Sequence, residues 1–111
     1  MDEKMTEEKS PTQKAFGQLA PRFADLTDRV LFGEVWEGSE LSKRDRSLVT
    51  VAALVALYRV NELPFHLKRA IENGVKKEEL AEAITHLAFY SGWPTAASAL
   101  AIAKQVLSED V

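Results

Sequence analysis

Leu48-Val49-Thr50-Val51-Ala52-Ala53-Leu54-Val55-Ala56-Leu57 decides the architecture of this chain. The run carries no charge and is apolar on every side of a helix, which calls for burial all round. Ser42, with Asp45 three residues on, forms a capping box that opens this helix, and it runs to Leu57 or Tyr58. A chain of 111 residues has limited interior for such a segment. The final helix, Thr95–Val106, is Ala-rich and so permits close helix–helix approach. Subunit association meets both features most simply; a central helix enclosed by its own chain is the alternative.

Working outward, the spacing predicts helices and no strand. Ser10-Pro11-Thr12-Gln13 reads as a helix start, with Ser10 as N-cap and Pro11 at the first helical position. Pro21 restarts the helix, and Phe23, Leu26 and Val30 give it one apolar stripe to Leu31. Gly33–Glu40 is expected to be a loop carrying Trp36. Asn61 suits the cap of a further helix, Pro64 its tolerant first turn, and Gly74 its C′ position. Lys76–Ser91 follows, closed by Gly92, and Pro94 opens the last helix, which runs to about Glu109. The fold class is all-α with five to six helices. Residues 1–9 read as a solvated tail and 10–111 as a single helical domain.

Composition excludes several functions. There is no cysteine, hence no disulfide, thiolate metal site or redox dithiol, and an intracellular, cytoplasmic setting is the default. Two histidines alone do not complete a usual zinc site, so no metal is expected. A net charge of −3 with scattered basic residues gives no reason to expect a nucleic-acid partner. The longest apolar run, Val51–Tyr58, falls far short of the roughly 20 residues that span a bilayer, and no membrane partner is expected.

The chemistry concentrates at Arg59-x2-Glu62-x3-His66, which gathers a cation, a carboxylate and an imidazole. Such a trio can bind an acidic small molecule and move a proton; it also suits a structural ion-pair network, the commoner use of these residues. On the helix from Leu63, the residues Leu63, Leu67, Ala70 and Ile71 form the core stripe, which leaves His66 at its edge beside Arg69 and Asn73. Phe89, Tyr90 and Trp93 gather around His86 on the side opposite the core face of Leu80, Ile84, Leu87, Ala88 and Ser91. That grouping fits a subunit interface or a pocket wall, and the two can coincide. Lys43, Arg44 and Arg46 oppose the macrodipole of the helix they open, at tenths of a kcal/mol each. Arg46, nearest the apolar run, is placed to point inward to a carboxylate or to bridge to a neighbouring helix.

These residues, in this order, resemble the carboxymuconolactone decarboxylase family. The matching segments are Leu41-Ser42-x-Arg44-Asp45-Arg46-Ser47-Leu48, Arg59-x-x-Glu62-Leu63-x-x-His66-Leu67, Glu72-Asn73-Gly74-Val75 and Glu78-Glu79-Leu80. Ala88-Phe89-Tyr90-Ser91-Gly92-Trp93-Pro94-x-Ala96 completes them, and Gly33-Glu34-Val35-Trp36 resembles the tryptophan loop of the decarboxylase branch. The alkylhydroperoxidase-like branch has Cys-x-x-Cys-x-x-x-His with an upstream glutamate. Here Arg59 and Glu62 stand at the cysteine positions and Ser47 at the glutamate, which excludes thiol peroxidase chemistry. The resemblance is to the γ-carboxymuconolactone decarboxylase branch, which uses no cofactor and serves aromatic breakdown through β-ketoadipate. It implies an alkylhydroperoxidase-like helical domain in a homo-oligomer, a hexamer or trimer, with sites between subunits.

On that resemblance His66, Glu62 and Arg59 are the expected catalytic residues, with Arg46, His86, Phe89 and Trp93 binding an acidic small-molecule substrate. His66 is expected to be a general acid with a pKa near neutrality. The branch usually has Tyr-Cys-Gly-Ile-Pro where this chain has Tyr90-Ser91-Gly92-Trp93-Pro94, a change that reshapes any pocket nearby. Two other readings use the same residues: a lactone or enol isomerase, and a non-catalytic oligomeric protein that keeps the trio as a structural network.

Overall fold

The computed structural model describes residues 9–108, and among them there is no strand, so the all-α expectation holds. The tail expected over residues 1–9 lies outside the described residues except for Lys9. The chain divides into two compact units, Met1–Glu40 and Leu41–Val111.

In the first unit, α1 (Pro11–Phe16) and α2 (Pro21–Leu26) each begin with proline, whose missing N–H is no loss there. The Ser10 hydroxyl accepts from the Gln13 N–H at 3.0 Å and donates to Asp28 Oδ2 at 2.7 Å. Phe16 and Phe23 meet edge to face at 5.2 Å, which braces α1 against α2. Beyond α2 the chain does not open into a loop at Gly33. It widens into a π-helical stretch, Thr27–Val35, and the Trp36 N–H still reaches the Leu31 carbonyl five residues back at 3.0 Å. The expected Trp36 loop therefore begins later than Gly33, and Trp36 itself is buried.

The second unit holds α3 (Lys43–Ala56), α4 (Leu63–Glu72), α5 (Lys77–Ser91) and α6 (Trp93–Leu107). The Ser42 hydroxyl caps α3 by accepting from the Asp45 N–H at 3.0 Å. Leu63, Leu67 and Ala70 bury the inner face of α4 as their spacing requires, against α3, in one core cluster with its Val51 and Val55 and with Leu80 and Ile84 of α5. Ala96, Ala99 and Ala103 give α6 a buried face of small side chains, and α6 packs on both α4 and α5. Gly74 (φ 101°) ends α4 as expected: its N–H reaches the Ile71 carbonyl and the Val75 N–H reaches Ala70. Arg44 bridges α3 to α5 through Glu79, which also accepts from the Lys76 N–H at 2.9 Å. Those contacts raise the Arg44 pKa, and the Lys76 amide is the main reason the Glu79 carboxyl is lowered.

Burial of α3 on every side is not found within one chain. Val51 and Val55 are sealed, but Val49 is 59 % and Leu57 65 % exposed, because the neighbouring helices cover one face only. Among the described residues of the second unit the buried polar residue is Ser47, and the Asn73 amide donates to its hydroxyl at 2.9 Å, tying α3 to the end of α4. Asn73→Ala removes that donor and leaves a buried oxygen short of a partner, at a cost of about 1–3 kcal/mol. Urea denaturation should show this loss, and in a Ser47→Ala background the same change should cost distinctly less.

Candidate active site

The Arg59–His66 segment is built by two helix ends. At the close of α3 the Tyr58 N–H bonds to the Val55 carbonyl at 3.0 Å and the Arg59 N–H to Leu54 at 2.8 Å. The chain then turns: the Glu62 N–H meets the Arg59 carbonyl at 3.3 Å, and the His66 N–H meets the Glu62 carbonyl at 3.4 Å. Asn61 is consumed by this turn and does not cap α4; the helix begins after Glu62 with no side-chain cap. Pro64 sits in the first turn, as its chemistry allows.

Arg59 and Glu62 are exposed, and among the described residues the Arg59 guanidinium makes no ion pair or side-chain hydrogen bond. His66 is half-buried, its Nδ1 lies inside the protein, and the Phe65 ring stands edge-on to it at 5.0 Å. The Arg69 guanidinium lies 5.0 Å over the Phe65 ring and contacts Glu72 at 3.5 Å. Burial lowers the His66 pKa, the Arg69 charge lowers it further, and Glu62 pulls the other way. The half-buried site thus favours the neutral imidazole more than water does. Arg69, one turn on from His66, is the cation whose field acts on it; the i, i+3 spacing signals this neighbour.

Because folding lowers this pKa, the unfolded chain takes up the proton first as pH falls. The stability due to neutral His66 is complete above the ordinary value of 6.5 and is lost as pH falls through the folded value. His66→Gln should therefore lose less stability than the natural protein between about pH 7.5 and about pH 5, measured by urea denaturation at both.

The other expected residues are placed as follows. Arg46 is half-buried, and its Nε is buried with no hydrogen-bond partner among the described residues; it pairs with no carboxylate there, either inward or across helices. His86 is exposed, with the Tyr90 ring at 5.0 Å, and Phe89 and Trp93 stack edge to face at 5.6 Å while 74 % and 64 % exposed. No ring contact or hydrogen bond joins this group to Arg59 or Glu62 among the described residues. A groove of about 420 Å³ lies elsewhere in the second unit, between α5 and α6, lined by Leu80, Leu100 and Leu107 with Lys77 and Lys104 at its rim. None of the expected site residues lines it. No group of three or more His, Cys, Asp or Glu among the described residues is arranged to hold a metal ion. No helix of the described residues is long and apolar enough to cross a membrane.

An all-helical chain with a cysteine-free Arg–Glu–His segment at a helix junction narrows the class, and comparison with known proteins gives the family. The chain belongs to the carboxymuconolactone decarboxylase family, whose model matches residues 21–105. It is 41 % identical over 87 residues to the 4-carboxymuconolactone decarboxylase of Acinetobacter baylyi, covering 78 % of this chain and 65 % of that protein. It is 32 % identical over 87 residues to nitrosuccinic acid decarboxylase npaB of Metarhizium robertsii, covering 78 % of this chain and 61 % of that one. The matched stretch thus spans a little under two thirds of each relative's own length.

Proposed function

We propose that this protein is a cofactor-independent carboxy-lyase acting on γ-carboxymuconolactone or a similar acidic lactone, in the cytoplasmic breakdown of aromatic compounds. The observation that carries the reading is an exposed Arg59 with no ion-pair partner among the described residues, followed by a half-buried His66 whose pKa burial lowers, in a chain related to two decarboxylases. Loss of CO2 breaks the bond from the ring carbon to the leaving carboxyl carbon, and its electron pair passes through the ring alkene into the lactone carbonyl. Carbon must then receive a proton. Arg59 suits the developing enolate oxygen or a carboxylate that stays, since a guanidinium fork matches both. The leaving carboxylate belongs away from arginine, because an ion pair there stabilises the ground state. His66 delivers the proton, and Glu62 holds it in its charged form. Arg46, His86, Phe89 and Trp93 line the substrate side.

A lowered His66 pKa in the free protein does not disqualify it as the acid. An anionic substrate beside the imidazole favours the protonated form, adding to the pull of Glu62. kcat/KM, which reports free protein, should therefore fall with rising pH from a limb below 6.5, while the limb in kcat lies at higher pH. Coincident limbs would contradict this role.

The same reading makes the protein a homo-oligomer, a hexamer or trimer. Val49, Leu57, Phe89, Tyr90 and Trp93, all more than half exposed in the single chain, supply apolar surface for subunit contact. The relative that acts on nitrosuccinic acid favours one variation, since a nitro group is also an electron sink next to a carboxylate. The test is CO2 release from γ-carboxymuconolactone and from nitrosuccinate under identical conditions. Faster release from the lactone is expected; release from nitrosuccinate alone would move the substrate class to open-chain nitro acids, and release from neither would reject the carboxy-lyase reading.

A further inference from the structure

Tyr58 is the one non-glycine residue with a positive φ among the described residues, at 60°. It occupies the C′ position that closes α3, with the same pair of backbone bonds that Gly74 makes at the close of α4. The left-handed conformation costs a bulky L residue stability that glycine does not lose. Tyr58 is 57 % exposed, and its side chain makes no hydrogen bond or ring contact among the described residues. It is followed directly by Arg59, the exposed cation of the candidate site, which has no ion-pair partner among the described residues. Strain of this kind gathers where a side chain is held for a ligand.

We propose that the Tyr58 ring contacts the substrate at the Arg59 end of the site and selects for a flat, unsaturated ring bearing carboxylate. This rests on the carboxy-lyase reading. A tyrosine offers such a ring a stacking face with little rotamer freedom to lose, beside the charge that holds its oxygens. Glycine at this position keeps the backbone and removes only the ring.

Tyr58→Gly and Tyr58→Phe would be compared with the natural protein for thermal melting, subunit assembly and steady-state turnover of γ-carboxymuconolactone. Tyr58→Gly should melt a few degrees higher, keep its assembly and raise KM about tenfold, the scale of a lost apolar contact; Tyr58→Phe should keep KM within about threefold. A more stable Tyr58→Gly with unchanged KM overturns the proposal and leaves the carboxy-lyase reading standing. Dissociated subunits overturn it too, by making Tyr58 an interface residue, and so does a Phe variant as impaired as Gly. No turnover by the natural protein removes the carboxy-lyase reading and this proposal together.

Discussion

His66→Gln is expected to lower kcat for the acidic lactone by about 10²–10⁴-fold while leaving KM within a few-fold. That loss corresponds to roughly 3–5 kcal/mol of transition-state stabilisation, the largest effect any single change should have here. Gln keeps the size and hydrogen-bonding capacity of the imidazole but has no proton to give at any working pH. Burial lowers the pKa of the histidine, and a neutral glutamine of similar size puts no charge in the half-buried position. Stability at neutral pH should accordingly stay close to that of the natural protein, and a melting curve separates lost chemistry from lost folding. An unchanged kcat would remove His66 from the mechanism.

Arg59→Gln should reduce kcat/KM by roughly 10- to 100-fold, the range for losing a hydrogen bond to a charged group. The fall would appear in KM if Arg59 holds a carboxylate that stays, and in kcat if it meets the developing enolate oxygen. Stability is expected to change by no more than about 0.5 kcal/mol, since the guanidinium is exposed and has no ion-pair partner among the described residues. Arg59→Lys should recover only part of the activity, because an ammonium keeps the charge and loses the fork. The rival view of the trio as a structural network requires the reverse result, a destabilised protein with turnover intact. Urea denaturation and initial rates on the same preparations distinguish them.

Most of the second unit could be read from local chemistry. The inner face of α4 and its end at Gly74 follow from apolar spacing and from a residue that tolerates positive φ. Two positions misled for identifiable reasons. Asn61 has the side chain of a cap, but the Arg59–Glu62 turn takes the chain past it before the helix starts. Gly33 looks like the start of a loop, yet it lies within Thr27–Val35, whose wider turns leave no 3.6-residue signature. Tyr58 gave no sign of its left-handed backbone, because the usual marker of that conformation is glycine.

The candidate site was legible to the extent that it is local. Arg59, Glu62 and His66 are set by one turn and one helix start, and the influence of Arg69 on His66 follows from helical spacing. His86 and Tyr90 are likewise neighbours one helical turn apart, and Phe89 meets Trp93 across the Gly92 junction four residues on. What these aromatics and Arg46 face depends on tertiary contacts, which no local spacing encodes. The exposed side of α3 is the clearest case: an apolar run announces burial without saying which surface provides it.

The central claim is that the Arg59–His66 segment decarboxylates an acidic lactone. Its most direct test is the ultraviolet loss of freshly generated γ-carboxymuconolactone, with CO2 counted, for the natural protein and His66→Gln side by side. Loss above the spontaneous rate, one CO2 for each lactone consumed and abolished in the variant, is the predicted result. A folded natural protein that leaves the spontaneous rate unchanged would contradict it.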